Sequence, residues 1–421
     1  SIPNSVTSIG EGAFSQAFMP NLVKVSQKGL FCAEILIKLS LAMLGLSLIV
    51  MLFAPLVTKA LAFGFSPETI ALAVPLVRIN FWYLLAIFIV TLLSALLQYK
   101  NHFATTAFST ALLNISMITA LLLALNLDQK SAAMYLSWGV VAGGMLQVLS
   151  HIIALKKLNL LRLLNLGIVK FVKGKRAKAK GFWQNFGHGI IGSSANQLSD
   201  FISTFIASFL ATGAISYLYY ANRIFQLPLA LFAIALSTAI FPKIAKEIKS
   251  KNDTNAINLL KKSFSLLFFL LIFSTIGGFV LANEIIWLLF QRGEFNTNNT
   301  IESAKVLQMY MLGLLPFGLY KLFSLWLYAK MQQKIAAKIA IYSLFINTAL
   351  CLLLFKPLGA SGLALAGSIS GLFLLGYAIF VFGIRQFLDI IFNRINLITI
   401  ILAVIFGYLL IELREVIYAN L

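Results

Sequence analysis

Apolar runs of some twenty residues recur along the chain, separated by short polar breaks, and hydrophobic positions within the runs do not alternate with polar ones. A helix needs roughly 20 residues to cross ~30 Å of bilayer hydrocarbon. Eleven runs approach that requirement: Phe31–Ala54, Val77–Gln98, Phe103–Asn126, Ala132–Leu155, Phe182–Leu210, Ala214–Phe241, Ser263–Phe290, Val306–Tyr328, Ile335–Phe355, Ala360–Val381 and Leu397–Ile411. Strands of a membrane barrel would alternate apolar and polar residues. The pattern therefore predicts membrane-spanning helices, which satisfy their backbone hydrogen bonds within each segment.

Composition agrees. Of 421 residues, 60% are hydrophobic and 11% charged, against roughly 25% charged in soluble domains. The formal charge of +20 would suggest nucleic acid in a soluble protein, but its distribution excludes that reading here. If the runs cross alternately, 23 Lys and Arg residues fall in the connections of one side and six in those of the other. By the positive-inside rule the rich side is cytoplasmic, where basic residues also attract anionic lipid.

Catalytic and metal-binding arrangements are not visible. Cys32 and Cys351 both sit in apolar runs and read as small core residues. His102, His151 and His188 are widely separated, with no HExxH, paired-Asp or nucleophile-elbow motif. Neither an enzyme nor a resident cofactor is expected.

The chain also repeats itself. Phe18-Met19-Pro20-Asn21-Leu22 parallels Ile240-Phe241-Pro242-Lys243-Ile244, and Ser94–Lys100 parallels Ser324–Lys330. Asn114 parallels Asn347, and Gly139 and Gly144 parallel Gly367 and Gly371 in segments where small residues predict close helix packing. An offset spanning six crossings preserves orientation, so the halves are parallel repeats about an axis along the membrane normal. The expected organisation is an N-terminal lobe over 1–155, a linker over 156–181, a C-terminal lobe over 182–384 and a further helical region over 385–421. Basic residues and leucines interleave through Lys156–Lys180, which predicts an amphipathic interfacial helix.

Lys38, Arg78, Arg223 and Lys321 fall within or at the ends of spans. Burying each costs at least about 2.5 kcal/mol. Glu34 lies one turn from Lys38 and reads as its structural partner. Arg223, in Tyr219-Tyr220-Ala221-Asn222-Arg223, has no acid within a turn. It is suited to bidentate binding of phosphate or pyrophosphate, with snorkelling or pairing with Asp200 as the structural alternatives. Arg78 and Lys321 read as snorkelling cations and remain secondary candidates for substrate contact. Asp200 equally fits an ion-coupling carboxylate.

Glu11–Pro20 (EGAFSQAFMP), Leu112–Ile118 (LLNISMI), Ala207–Ile224 (ASFLATGAISYLYYANRI) and Phe290–Phe295 (FQRGEF) resemble the MurJ (MviN) family of lipid II flippases. The resemblance implies an all-α integral membrane protein of the multidrug/oligosaccharidyl-lipid/polysaccharide exporter superfamily, with two pseudo-symmetric helical bundles around a central cavity. It implies alternating-access transport of undecaprenyl-pyrophosphate-linked peptidoglycan precursor across the bacterial cytoplasmic membrane. A related exporter of another lipid-linked saccharide or a drug, or an inactive fragment or scaffold, is the alternative. The family's first helix, most of its second and its last are expected to lie outside Ser1–Leu421. Arg223 falls on the family's basic position in the second lobe, and Asn222 stands where many relatives carry Asp. Glu11 and Asn114 join Arg223, Asn222, Arg78 and Lys321 as candidate substrate contacts. Asp200 and Asn347 are the candidates for coupling an ion of unassigned identity. Lipid II, membrane phospholipid and cell-wall synthesis proteins are the expected partners, for a monomeric carrier.

Overall fold

The computed structural model describes residues 25–100, 102–177, 180–211, 213–330 and 332–419, together with Phe14, Phe18, Asn21 and Leu22. Its contacts divide the chain into two compact units, Ser1–Gln197 and Leu198–Leu421. Among the described residues every regular element is a helix.

In the first unit α1 (Lys28–Leu52) is followed by the short α2 (Ala54–Leu61), α3 (Pro67–Tyr99), α4 (Ala104–Leu123), α5 (Gln129–Lys157) and α6 (Leu160–Val172). Helix α7 (Lys180–Ala207) runs across the division into the second unit. There follow α8 (Ala214–Pro228), a π-helical segment (Leu229–Ile234), α9 (Ala235–Lys249), α10 (Asp253–Val280), the short α11 (Ala282–Phe290), α12 (Thr297–Ala329), α13 (Gln333–Phe382), α14 (Ile384–Ile391) and α15 (Arg394–Ala419).

Nine stretches among the described residues are helical, long and apolar enough to cross a membrane, and they account for ten of the eleven expected runs. At about 1.5 Å per residue, the 50 residues of α13 are more than twice what a bilayer accommodates. Gly359 divides them with φ 59° and ψ −137°, a left-handed conformation that glycine adopts without a Cβ clash, and Pro357 stands two residues before it. The runs Ile335–Phe355 and Ala360–Val381 are thus two spans joined at a sharp bend. The remaining run, Phe182–Leu210, is carried by the 28-residue α7.

The repeat is visible in the elements. Helices α3 and α12 are both 33 residues long. Each starts at an oxygen-bearing cap at matching positions: Ser66 accepts the Thr69 N–H at 3.2 Å and Asn296 accepts the Asn299 N–H at 3.0 Å. Each is preceded by a long helix and a short one, α1–α2 and α10–α11. Within its unit α3 packs on α1 and α5, and α12 packs on α10 and α13.

Close packing depends on small residues, as expected, at three of the four paired glycines. A Cβ on Gly139 would lie 2.6 Å from the Ala120 Cβ, one on Gly144 2.8 Å from the Tyr83 ring, and one on Gly371 2.8 Å from the Phe317 ring. Gly367 is the exception: it faces open space. Ser368 takes the tight contact instead, against Gly313, and its hydroxyl donates to the Met309 carbonyl at 2.6 Å. The packing register there is one residue away from that of its sequence mate.

Each unit has its own core. In the first, Phe14, Phe18, Phe31 and Phe182 are fully buried and stack on or abut one another edge-on. In the second, Leu260, Phe264, Leu267 and Leu271 line one face of α10 and bury against α12 residues such as Leu307, Leu314 and Leu322. Large apolar side chains are exposed along the other faces, with Leu52 72% and Phe345 66% open. For a membrane chain that is the lipid-facing surface, since hydrocarbon is no penalty to them.

Within the stretch 156–181, α6 (Leu160–Val172) is a helix with one buried face, while the division between the two units falls further on, inside α7. Leu160, Leu164 and Gly167 of α6 bury against α1, where a Cβ on Gly167 would run into the Gly29 carbonyl and one on Gly29 into the Leu163 carbonyl. Leu166, Val169 and Val172 remain exposed, beside Arg162, Lys170 and Lys173. Glu34 and Lys38 pair at 2.6 Å as anticipated, and the second carboxylate oxygen of the buried Glu34 accepts the Ala177 N–H at 2.6 Å, tying the linker's end to α1.

Candidate functional site

Helix α8 buries Ala214, Leu218, Ala221 and Phe225, positions that fall on one helical face. The opposite face presents Tyr219 and Arg223, one turn apart and both exposed. The Arg223 guanidinium sits over the Tyr219 ring, 4.9 Å from its centroid, and Nη2 donates to the Tyr219 hydroxyl at 3.1 Å. Among the described residues Arg223 has no ion-pair partner, so the pairing with Asp200 that the sequence allowed is not formed. A cation buttressed by an aromatic face keeps its outward N–H groups available to an anion. Asn222, beside it, is half-buried.

The base of this helix is fixed by the FQRGEF stretch. Gly293 turns the chain with φ 58°, and the turn brings Phe290 and Phe295 onto the Tyr220 ring at 4.8 and 5.3 Å. Tyr217 donates to the Asn299 side chain at 3.0 Å, and Asn299 belongs to the first turn of α12. Gln291 completes the corner: its side-chain oxygen accepts the Thr300 hydroxyl at 2.7 Å. The motif is thus an aromatic and hydrogen-bonded clamp on the Tyr-rich turns preceding Arg223. Past Arg223 the helix meets Pro228 and then the π segment. A missing N–H and a widened turn are the local features at which helices bend most readily.

A second cluster lies between α7 and α13. The buried Asn347 donates to the Ser199 hydroxyl at 2.8 Å, and one turn further along both helices Ser203 contacts the Cys351 sulfur at 3.7 Å. The Asn347 side-chain oxygen is buried and lacks a hydrogen-bond partner. Asp200 adjoins Ser199, is exposed, and has no ion-pair partner among the described residues.

The other candidates are dispersed. Lys321 is a half-buried residue of α12 without an ion pair among the described residues. Arg78 on α3 and Asn114 on α4 are exposed and belong to the first unit. Glu11 lies outside the described residues. Asn114 and Asn347, mates in the repeat, occupy different surroundings, one exposed and one buried. Sequence reasoning missed Tyr219, Ser199 and Ser203. The i, i+4 spacing of Tyr219 with Arg223, and of Ser199 with Ser203 against Asn347 with Cys351, was the available signal.

This geometry can be set beside known proteins. Residues 1–420 match the family described as "Lipid II flippase MurJ". The chain belongs to the lipid II flippase MurJ family. A probable lipid II flippase MurJ of Helicobacter pylori is 47% identical over 404 residues, covering 93% of this chain and 88% of that one. One from Buchnera aphidicola is 32% identical over 383 residues, covering 88% and 73%. Among solved structures, lipid II flippase MurJ in an inward closed conformation superposes with a TM-score of 0.79 at 24% identity, over 100% of this chain and 90% of that one. An inward-facing multidrug resistance MATE family transporter of the MOP superfamily superposes with a TM-score of 0.68 at 13% identity, over 92% and 87%. The fold is therefore that of the MOP exporters, and the chain is a multi-pass protein of the bacterial cytoplasmic membrane.

Proposed function

We propose that this chain carries lipid II across the cytoplasmic membrane by alternating access, with Arg223 contacting the pyrophosphate. The observation that carries the reading is the state of Arg223: exposed, without a carboxylate partner among the described residues, and held against Tyr219 within the stretch 207–224 that resembles the family. Asn222 and Lys321, of the same unit as Arg223, are assigned to the same polar headgroup. The proline and the π segment that follow Arg223 supply a place where its helix can bend between access states. Expression of this polypeptide in cells depleted of their own flippase is the test. Growth and lipid II transport should return with the native chain and fail with Arg223→Ala at equal abundance. Equal rescue by that variant, or no rescue by the native chain, contradicts the proposal.

Asp200 and Asn347 are assigned to ion coupling. The support is a buried amide oxygen with nothing to accept from, on a side chain bonded to Ser199, whose chain neighbour Asp200 has no ion-pair partner among the described residues; oxygen ligands of this kind are what hard cations take. Transport in vesicles should then depend on sodium or proton gradient and lose that dependence in Asn347→Leu. A gradient response unchanged by the substitution argues against the assignment.

A further inference from the structure

A cavity of about 700 Å³ opens on the second unit between α10 and α15. Helix α10 contributes Asn258, Lys261, Lys262, Ser265, Leu266 and Phe269, and α15 with its preceding turn contributes Asn393, Ile395 and Thr399. The two walls are joined by a hydrogen bond from the Asn393 amide to the Ser265 hydroxyl, 3.2 Å. Asn393 also accepts the Ile395 N–H at 2.8 Å, fixing the start of α15.

The lining is graded along the helix axis. Asn258, Lys261 and Lys262 occupy one end, Ser265 the middle, and the exposed Leu266 and Phe269 the other. The lysines belong to the connections that the charge distribution places on the cytoplasmic side, and α10 leads from there into the bilayer. Cation, hydroxyl and amide donors thus stand at headgroup depth, and apolar surface follows one to two turns deeper. Neither lysine has an ion-pair partner among the described residues, and Asp253, an acid at the head of the same helix, is engaged by Lys330 at 2.9 Å.

We propose that this cavity binds an anionic membrane phospholipid, its phosphate between Lys261, Lys262 and Asn258 and an acyl chain along Leu266, Phe269 and Ile395. The ligand is a resident lipid rather than the transported one, and the inference stands whatever the chain transports. A pyrophosphate lipid offers similar headgroup chemistry, so the test separates the two.

The full chain is titrated in detergent with phosphatidylglycerol, with phosphatidylcholine, and with undecaprenyl pyrophosphate as competitor, and bound lipid is counted by native mass spectrometry. Phosphatidylglycerol should bind in preference to phosphatidylcholine. Lys261→Gln/Lys262→Gln should weaken it roughly 30-fold, from about one charge contribution per lysine, while Lys261→Arg/Lys262→Arg retains binding and reports a folded protein. Lys243→Gln/Lys246→Gln removes two charges from the same side outside the cavity and should change affinity less than about twofold. Equal binding of the two phospholipids, equal loss in the outside pair, or stoichiometric displacement by undecaprenyl pyrophosphate each overturns the proposal.

Discussion

Arg223 is held over the ring of Tyr219, one turn earlier on the same helix, with its guanidinium 4.9 Å from the ring centroid and one N–H given to the tyrosine hydroxyl at 3.1 Å. The ring accepts the cation's face and the hydroxyl one of its five donors, so the side chain is oriented without being neutralised. A carboxylate in Tyr219's place would neutralise it. This is the arrangement expected of a cation kept for an anionic ligand.

The clamp beneath that pair gives the first prediction. Gly293 has φ 58°, which costs a residue with a Cβ about 1–2 kcal/mol. Gly293→Ala should loosen the contact of Phe290 and Phe295 with Tyr220. The expected outcome is a lower melting temperature in detergent together with reduced transport, measured on the same preparation. An unchanged melting temperature and full transport would show that the turn does not hold the helix.

The second prediction concerns the linker. Gly167 and Gly29 touch backbone to backbone, and adding a methyl group to such a contact costs about 1–3 kcal/mol. Gly167→Ala should lower the melting temperature of the chain by several degrees. Leu166→Gln, on the exposed face of the same helix, should leave melting in detergent nearly unchanged, and equal melting of both variants with the native chain would show that the glycine contact does not hold the linker.

Asp128 caps α5, accepting the Lys130 and Ser131 N–H groups at 3.2 and 3.3 Å. The Ser131 hydroxyl and backbone, aided by Lys130, hold its carboxyl below the ordinary carboxylate range. A depressed folded-state value means that the cap's contribution is complete above the ordinary carboxylate pKa and fades as pH falls through the lowered one. Hydrogen exchange at the first turn of α5 should therefore report more fraying in strongly acidic solution, and Asp128→Ala should fray at neutral pH with no further acid dependence. Identical protection in the two proteins would contradict the assignment.

Much of the architecture was legible because bilayer physics is severe: run length located ten of the eleven expected spans among the described residues. Matching caps at Ser66 and Asn296 and the equal lengths of α3 and α12 express the internal repeat. Contacts that depend on helix rotation were less legible. Asn114 and Asn347 align in sequence, yet only Asn347 is turned inward to a serine, and Gly367 lies one residue out of register with the true close contact at Ser368. His151 read merely as isolated, whereas it is fully buried, within hydrogen-bond distance of Ser94 at 2.8 Å, beside Gln147, whose amide donates to the Ser109 carbonyl at 3.0 Å. Those partners lie 38 to 57 residues away in sequence, beyond any local pattern.

Binding of lipid II to the purified full chain, measured against the same preparation of Arg223→Ala, tests the central claim most directly. Losing a charge-assisted hydrogen bond worth about 1.5–3 kcal/mol predicts an affinity at least roughly tenfold weaker, with Arg223→Lys intermediate because it keeps the charge and loses the fork. Equal affinity of the native chain and Arg223→Ala for lipid II would contradict it.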